Sequence, residues 1–510
     1  MASRDLFIEF IKGELYHGFA LALPSVYGGI FKKIERLVEE HRAAMARGDP
    51  ETSTELKRLV PTISAFFTSL PLEEAWRRYD AKYAVSQRKC VPPSFNEVRH
   101  ILNLAQVMAL AGSLQMISFD GDQTLYSDGG NFGNNIELAS LIGNCLTRGV
   151  YVVLITAAGY GLDGPRYEQR VQGLLDYMKA ELKPEAMRNF FVLGGECNFL
   201  LRCSREGRLL AVPEEEWQPE ELGRLRPGSW PLKQTQKLLD VAERTMRESI
   251  KELRLRATLI RKSRAVGIIP GGDESILSTP VGHGSKKLKK EALDEVALRC
   301  QRNIEEHLRR EAAASGAPPG SDRVPFCAFN GGRDAWVDVG NKDIGAQAMQ
   351  AFLKVSSETS LHVGDQFLDT GNDVAARRSS PSLWILNPKE TLKVLQILLG
   401  LMCLGDECHE QSPEDAVNTT YGSKGVRRLE HAPPSPPLTG LSPTISPKSP
   451  EGVSRHLPDL ALSSDEVEIM RRASSEEDGG SDRDTVSGRA VIKSPSALQL
   501  QLCLEESVGT

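Results

Sequence analysis

Four stretches within the first 110 residues space their apolar positions three and four apart: Asp5 to Leu15, Ile30 to Ala46, Glu51 to Val60 and Asn96 to Leu110. That spacing predicts amphipathic helices. Ser94, with Glu97 three residues on, is the signature of a capping box at the start of the last one. Beyond residue 110 the period changes. Leu114 to Phe119 and Val150 to Ile155 are continuous apolar runs on either side of the amphipathic segment Ile136 to Arg148. Strand, helix and strand at these lengths predict a βαβ unit, whose two parallel strands end on the same rim of one sheet.

From 161 to 334 the pattern is less regular. Short apolar runs (Phe190 to Leu193, Phe199 to Leu201, Ala265 to Ile269, Phe326 to Phe329) alternate with two long amphipathic segments, Leu232 to Ile260 and Lys287 to Ala314. This portion is expected to be an inserted α/β cap. The core is expected to resume at 335 with Trp336 to Val339, a helix from Ala346 to Leu353, and strands at Leu361 to Val363 and Ser382 to Leu386. The division is therefore a helical N-terminal domain of regulatory character over 1–110, a core over 111–160 and 335–405, a cap over 161–334, and a tail over 406–510. In the tail, Ser-Pro steps at 435, 442, 446, 449 and 494 stand among proline, glycine and mixed charge. So few apolar clusters do not offset the entropy of ordering, and the tail is expected to be disordered. The fold class expected overall is α/β, with a Rossmann-like core.

Composition narrows the function. A chain of 510 residues needs more than one core. Its net charge of −6 and the lack of a basic domain-sized excess argue against nucleic acid as the main partner. No apolar run reaches the roughly 18 residues that span a bilayer, and the N-terminus lacks the layout of a signal peptide. Nine scattered cysteines suit free thiols in a reducing compartment, so a cytoplasmic location is expected.

The candidate chemistry lies where the strands end. Leu114 to Phe119 runs into Asp120-Gly-Asp122, followed by Thr124. Two carboxylates that close repel each other, which makes sense if a divalent cation lies between them. Thr156 ends the second strand, either as a plain strand terminator or as a donor to a phosphate oxygen. Lys342 stands at a helix start, and Asp365 at the carboxyl end of a later strand. The order Asp-x-Asp, Thr, Lys, Asp resembles the signature of the haloacid dehalogenase-like phosphatases. On that resemblance Asp120 is the nucleophile that forms an aspartyl-phosphate, and Asp122 is the general acid and base. Magnesium (Mg2+) is held by Asp120, Asp365 and the backbone carbonyl of Asp122, while Lys342 and Thr156 hold the phosphoryl group. Asp369 and Asp373 are expected to orient the metal's waters rather than to bind it.

Three segments narrow the resemblance: Asp120-Gly-Asp-Gln-Thr-Leu-Tyr-Ser-Asp128, Phe329-Asn-Gly-Gly-Arg-Asp-Ala-Trp-Val-Asp-Val-Gly-Asn-Lys342 and His362-Val-Gly-Asp-Gln-Phe367. They are similar to the IMP-specific 5'-nucleotidases, as is Pro93-Ser-Phe-Asn-Glu-Val-Arg-His-Ile-Leu-Asn103 in the helical domain. The resemblance runs from roughly residue 5 to 400. It implies magnesium-dependent hydrolysis of inosine 5'-monophosphate (IMP) to inosine and phosphate, activation by ATP and a homo-oligomer, usually a tetramer. It further implies that Asp122, Asp128, Thr156, Asp334 and Lys342 contact the nucleotide and that His100 belongs to the ATP effector site. Two other readings stay open: a phosphatase for another nucleotide or a sugar phosphate, and a non-catalytic adaptor regulated through a phosphorylated tail. Because the resemblance ends before the tail, deleting residues after 410 should leave kcat for phosphate release close to that of the full chain. A dead truncated enzyme would show that the tail takes part.

Overall fold

The computed structural model describes residues 5–20, 26–49, 53–218, 223, 227–271, 288–315 and 324–409. The expected tail, from 410 on, lies outside the described residues. The larger of two sheets has seven strands: β1 (Met116–Phe119), β2 (Tyr151–Ile155), β3 (Phe190–Gly194), β4 (Phe199–Cys203), β5 (Leu209–Ala211), β10 (Ser360–Gly364) and β11 (Ser382–Trp384). Their order is β11-β10-β1-β2-β3-β4-β5. The five strands from β11 to β3 are parallel, and β4 and β5 extend the sheet antiparallel.

The central strands are buried almost throughout because helices cover both faces of the sheet. Helices Ile136–Thr147, Gln172–Glu181 and Pro388–His409 pack Leu138, Leu174 and Leu395 on one side. Helix Lys342–Leu353 packs Ala348 and Met349 with Trp217 on the other. In register, Phe119 stands opposite Val363 on β10 and Leu154 on β2. Asp120, Asp365 and Thr156 therefore leave the sheet together at its carboxyl rim, where open α/β sheets bind ligands.

The smaller sheet is antiparallel, order β6-β7-β9-β8, formed by β6 (Ala257–Arg261), β7 (Ala265–Pro270), β8 (Phe326–Asn330) and β9 (Ala335–Val339). Helices Leu232–Glu252 and Lys290–Ser315 cover one of its faces, burying Leu238, Met246, Val296 and Ile304 against Val266 and Val337. This is the expected inserted cap, but its borders differ from 161 and 334. The run Phe190–Gly194 is fully buried and pairs in parallel with β2, so β3 to β5 belong to the core sheet. At the other border, β9 pairs with β7 and β8 and buries Val337 and Val339 in the cap's own core. The core resumes only at Lys342. Another difference is the expected helix to Ile260, which stops at Glu252. Arg254 there adopts φ +51°, and the β-branched run that follows forms β6.

The first 110 residues are helical as expected, over Leu6–Ala20, Tyr27–Arg47, Glu55–Leu59 and Phe95–Leu110, and the Ser94–Glu97 capping box is formed. A further helix, Leu72–Tyr83, also contributes. Its stripe Leu72, Ala75, Trp76 and Tyr79 is interrupted in sequence by Glu73, Glu74, Arg77 and Arg78. Among the described residues no helix is long and apolar enough to cross a membrane.

One buried ion pair ties the helical domain to the core. Arg99, 1% exposed, donates from Nη1 to the Trp384 carbonyl (2.6 Å) and to Glu390 Oε2 (2.8 Å), and from Nη2 to Glu390 Oε1 (3.0 Å). Asn103 completes the joint, donating to the same carbonyl and accepting from Trp384 N. Burial alone would raise the Glu390 carboxyl, yet hydrogen bonds from His100 and Arg99 and their charges hold it well below the usual carboxylate range. A carboxyl lowered by folding contributes stability in full above its ordinary value of 4.5 and loses it as pH falls further. Glu390→Gln leaves Arg99 buried without its counter-ion and should cost about 3 kcal/mol at neutral pH. The variant should also lose less stability than the parent on acidification below that value, as read by calorimetry. An equally steep acid loss in both would remove Glu390 from this role.

Candidate active site

The site is assembled around an ammonium group. Asn341 caps helix Lys342–Leu353, its Oδ1 accepting from Ile344 N at 3.0 Å, which places Lys342 in the first turn. The Lys342 side chain is wholly buried, and its Nζ donates to Asp120 Oδ1 and Asp373 Oδ1 at 2.5 Å each. Asp373 Oδ1 also meets His362 Nε2 at 3.0 Å, and its Oδ2 accepts from Gln366 N at 2.8 Å. His362 reaches back to Ser118 Oγ, 3.0 Å from its Nδ1. These contacts run Ser118, His362, Asp373, Lys342, Asp120, joining β1, β10, the loop after β10 and the helix after β9. Gly364 makes the loop's return possible: a Cβ there would lie 2.3 Å from Asp373 Cγ.

Asp120, Asp365 and Asp373 each offer an oxygen within 4.8 Å of the others. Burial pushes the Asp120 carboxyl up to about 7; Lys342 opposes the shift and Asp373 adds to it. Asp365 is pushed up to about 9, again first by burial and then by the charges of Asp120 and Asp373. For Asp373 burial acts the same way but loses to Lys342 and His362, and the group is held well below the usual range. Lys342 is raised: its burial disfavours the charge, and Asp120, Asp373 and Glu196 outweigh it. Asp365 Oδ1 is buried without a hydrogen-bond partner. An orphaned carboxylate oxygen beside two more carboxylates is a donor set that fits a hard divalent cation. Asp369, expected beside Asp373 as an orienter, is not in this cluster.

The other expected residues line the mouth. Asp122 accepts from Gly129 N at 2.8 Å and pairs with Arg170 at 2.9 Å. Asp128 pairs with Arg333 at 2.8 Å. Asp334, on the hairpin between β8 and β9, is raised first by burial, with Asp128 and Asp122 adding to the shift. Cap and core thus bring three carboxylates and two guanidinium groups to one opening. Thr156 is buried at the end of β2, its Oγ1 accepting from Ala158 N at 3.1 Å, which leaves its hydroxyl proton free to donate. His100 stands apart from this group, beside Arg99, Glu390 and Tyr79.

Several participants escape sequence reasoning. Asp373 was expected to act only through water, but it holds the lysine directly, and no periodicity in the 365–373 loop signals that. Arg170, which neutralises Asp122 and lies over the Tyr126 ring, is one arginine among many on a helix end. His362 is the exception, since the residue between two apolar neighbours on a buried strand is visible in Leu361-His-Val363.

Comparison with known proteins follows the same lines. The profile of the IMP-specific 5'-nucleotidase family matches residues 19–395. IMP-specific 5'-nucleotidase 1 of Neurospora crassa is 40% identical over 391 residues, covering 74% of this chain and 85% of that protein. Its Plasmodium falciparum counterpart is 38% identical over 349 residues, covering 68% and 73%. The fold is similar to that of an IMP-bound mutant of Plasmodium falciparum IMP-nucleotidase, with a TM-score of 0.68 and 33% identity over 78% of this chain and 94% of that one. The ATP-bound form of that enzyme gives a TM-score of 0.64 and 33% identity over 78% and 85%. The chain belongs to the IMP-specific 5'-nucleotidase family, whose members are phosphoric monoester hydrolases.

Proposed function

We propose that this chain hydrolyses inosine 5'-monophosphate to inosine and phosphate through an aspartyl-phosphate on Asp120. The observation that carries the proposal is the Asp120–Lys342–Asp373 chain beside Asp365, at the carboxyl rim of a parallel sheet, in a member of this family. Uncatalysed hydrolysis of phosphate monoesters is slow enough to need up to about 10²¹-fold acceleration. The reaction requires a nucleophile, charge neutralisation and a proton for the leaving oxygen. Asp120 supplies the first: a carboxylate oxygen attacks phosphorus, and the bond to the ribose 5'-oxygen breaks. Asp122 protonates that oxygen, then takes a proton from the water that hydrolyses the acyl phosphate and frees Asp120. Arg170 holds Asp122 at the mouth until the nucleotide arrives. Lys342 and Thr156 hold the phosphoryl oxygens, and Asp128 and Asp334 contact the nucleoside portion.

Asp120, Asp365 and the Asp122 carbonyl would hold Mg2+, which when bound offsets the repulsion between carboxylates and phosphate. The fit is supported by the orphaned Asp365 oxygen. His100, on the helix that docks against β11, is the proposed ATP effector contact. Its contact with Glu390 Oε1, 3.3 Å away at the start of a core helix, would link an effector there to the core. The enzyme works as a homo-oligomer, a tetramer by family resemblance, and its free thiols suit a cytoplasmic setting.

Asp120→Asn should abolish phosphate release from IMP while the circular dichroism spectrum of the folded protein matches the parent's; undiminished turnover would sink the mechanism. Phosphate release from IMP, AMP, GMP and sugar phosphates, with and without magnesium and ATP, tests the substrate. IMP should lead and magnesium should be required, whereas preference for a sugar phosphate would reassign the enzyme. His100→Ala should weaken ATP activation more than basal hydrolysis. Equal loss of both would make it a structural histidine.

A further inference from the structure

The turn from β3 to β4 is strained. Gly195, Glu196 and Cys197 have φ of +61°, +48° and +76°, three consecutive residues in the left-handed region. Glycine adopts this readily; Glu196 and Cys197 do so at a cost that the surroundings must impose. The turn is tied down on each side. Gly195 N donates to Ala158 O and Glu196 N to Thr156 O, which fixes the loop after β2. Asn198 Nδ2 donates to Val339 O at 2.6 Å, which fixes the approach to Lys342. A Cβ on Gly340 would lie 2.1 Å from Glu196 O, and one on Gly345 would lie 2.0 Å from Cys197 Sγ.

This conformation drives the Glu196 side chain fully inside. Its Oε1 accepts from Asn372 Nδ2 at 2.8 Å, and its Oε2 is buried with no partner among the described residues. A half-satisfied buried carboxylate on strained backbone destabilises the fold twice over. Packing alone would favour an apolar residue. What the carboxylate does hold is Asn372, the residue before Asp373, in the loop that returns to grip Lys342.

We propose that Glu196 is a positioning residue of the active centre. Through Asn372 it sets the loop bearing Asp373, and so the placement of the Lys342 ammonium against Asp120. This rests on the reading of Asp120 and Lys342 as catalytic.

The test measures kcat and KM for phosphate release from IMP per folded molecule in the full chain. Glu196→Ala and Asn372→Ala should each lower kcat on the order of 10- to 100-fold, the range for residues that orient a reacting group. KM should change less than about threefold. Glu196→Gln keeps the acceptor oxygen for Asn372 and should restore kcat to within about threefold of the parent. The double alanine variant should be no worse than Asn372→Ala alone, because both act along one path. Additive losses, or a Gln variant as impaired as the Ala variant, would overturn the proposal. If Glu196→Ala does not fold, the Gln variant combined with Asn372→Ala decides: it should match Asn372→Ala alone, and a further loss overturns. The parent and Asp120→Asn run alongside: a parent that releases no phosphate from IMP rejects the reading of the site, whereas a normal parent with an unimpaired Asn372→Ala rejects only the role of Glu196.

Discussion

The Lys342 ammonium, buried between Asp120 and Asp373, is the interaction on which the architecture depends. A desolvated cation is costly unless carboxylates surround it. This one also stands in the first turn of a helix, where the backbone dipole disfavours positive charge. The two carboxylates that offset both penalties come from different parts of the chain, one at the end of β1 and one from the loop after β10. The helix that carries the lysine follows directly on the cap. Core sheet, return loop and cap border must therefore be correctly placed at once for the charge to be tolerated.

The resulting electrostatics divide three close carboxyl groups into distinct roles. Asp373 is committed to the lysine and the histidine and remains ionised. Asp120 and Asp365 are raised first by burial, and the neighbouring carboxylates add to the imbalance. A divalent cation is what this imbalance suits. The mouth repeats the arrangement at lower burial: Arg170 and Arg333 balance Asp122 and Asp128.

The strand-end residues were legible in the sequence because their signal is local. Asp120, Thr156 and Asp365 each follow an apolar run, and parallel strands of a βαβ unit share a rim, so position along the chain gives position in space. What could not be read depends on contacts without period. Asp373 reaches Lys342 only because Gly364 lets the loop fold back, and Glu196 turns inward only because three consecutive turn residues are held in the left-handed region. The cap borders were misjudged for a related reason. β3 to β5 are short apolar runs in an irregular stretch, and β9 carries the polar residues that lead to the site. Pairing partners decide sheet membership, and those lie far away in sequence. The helix Leu72–Tyr83 was hidden by charges on its outer face.

Only Gly340 and Asn341 separate the last cap strand from the buried Lys342, a linker of about 7 Å at full extension. Gly340, with φ +103°, is also pressed against the Glu196 carbonyl. Geometry therefore fixes the chain length at this border. One inserted residue would rotate the helix start and carry the ammonium out of reach of its carboxylates.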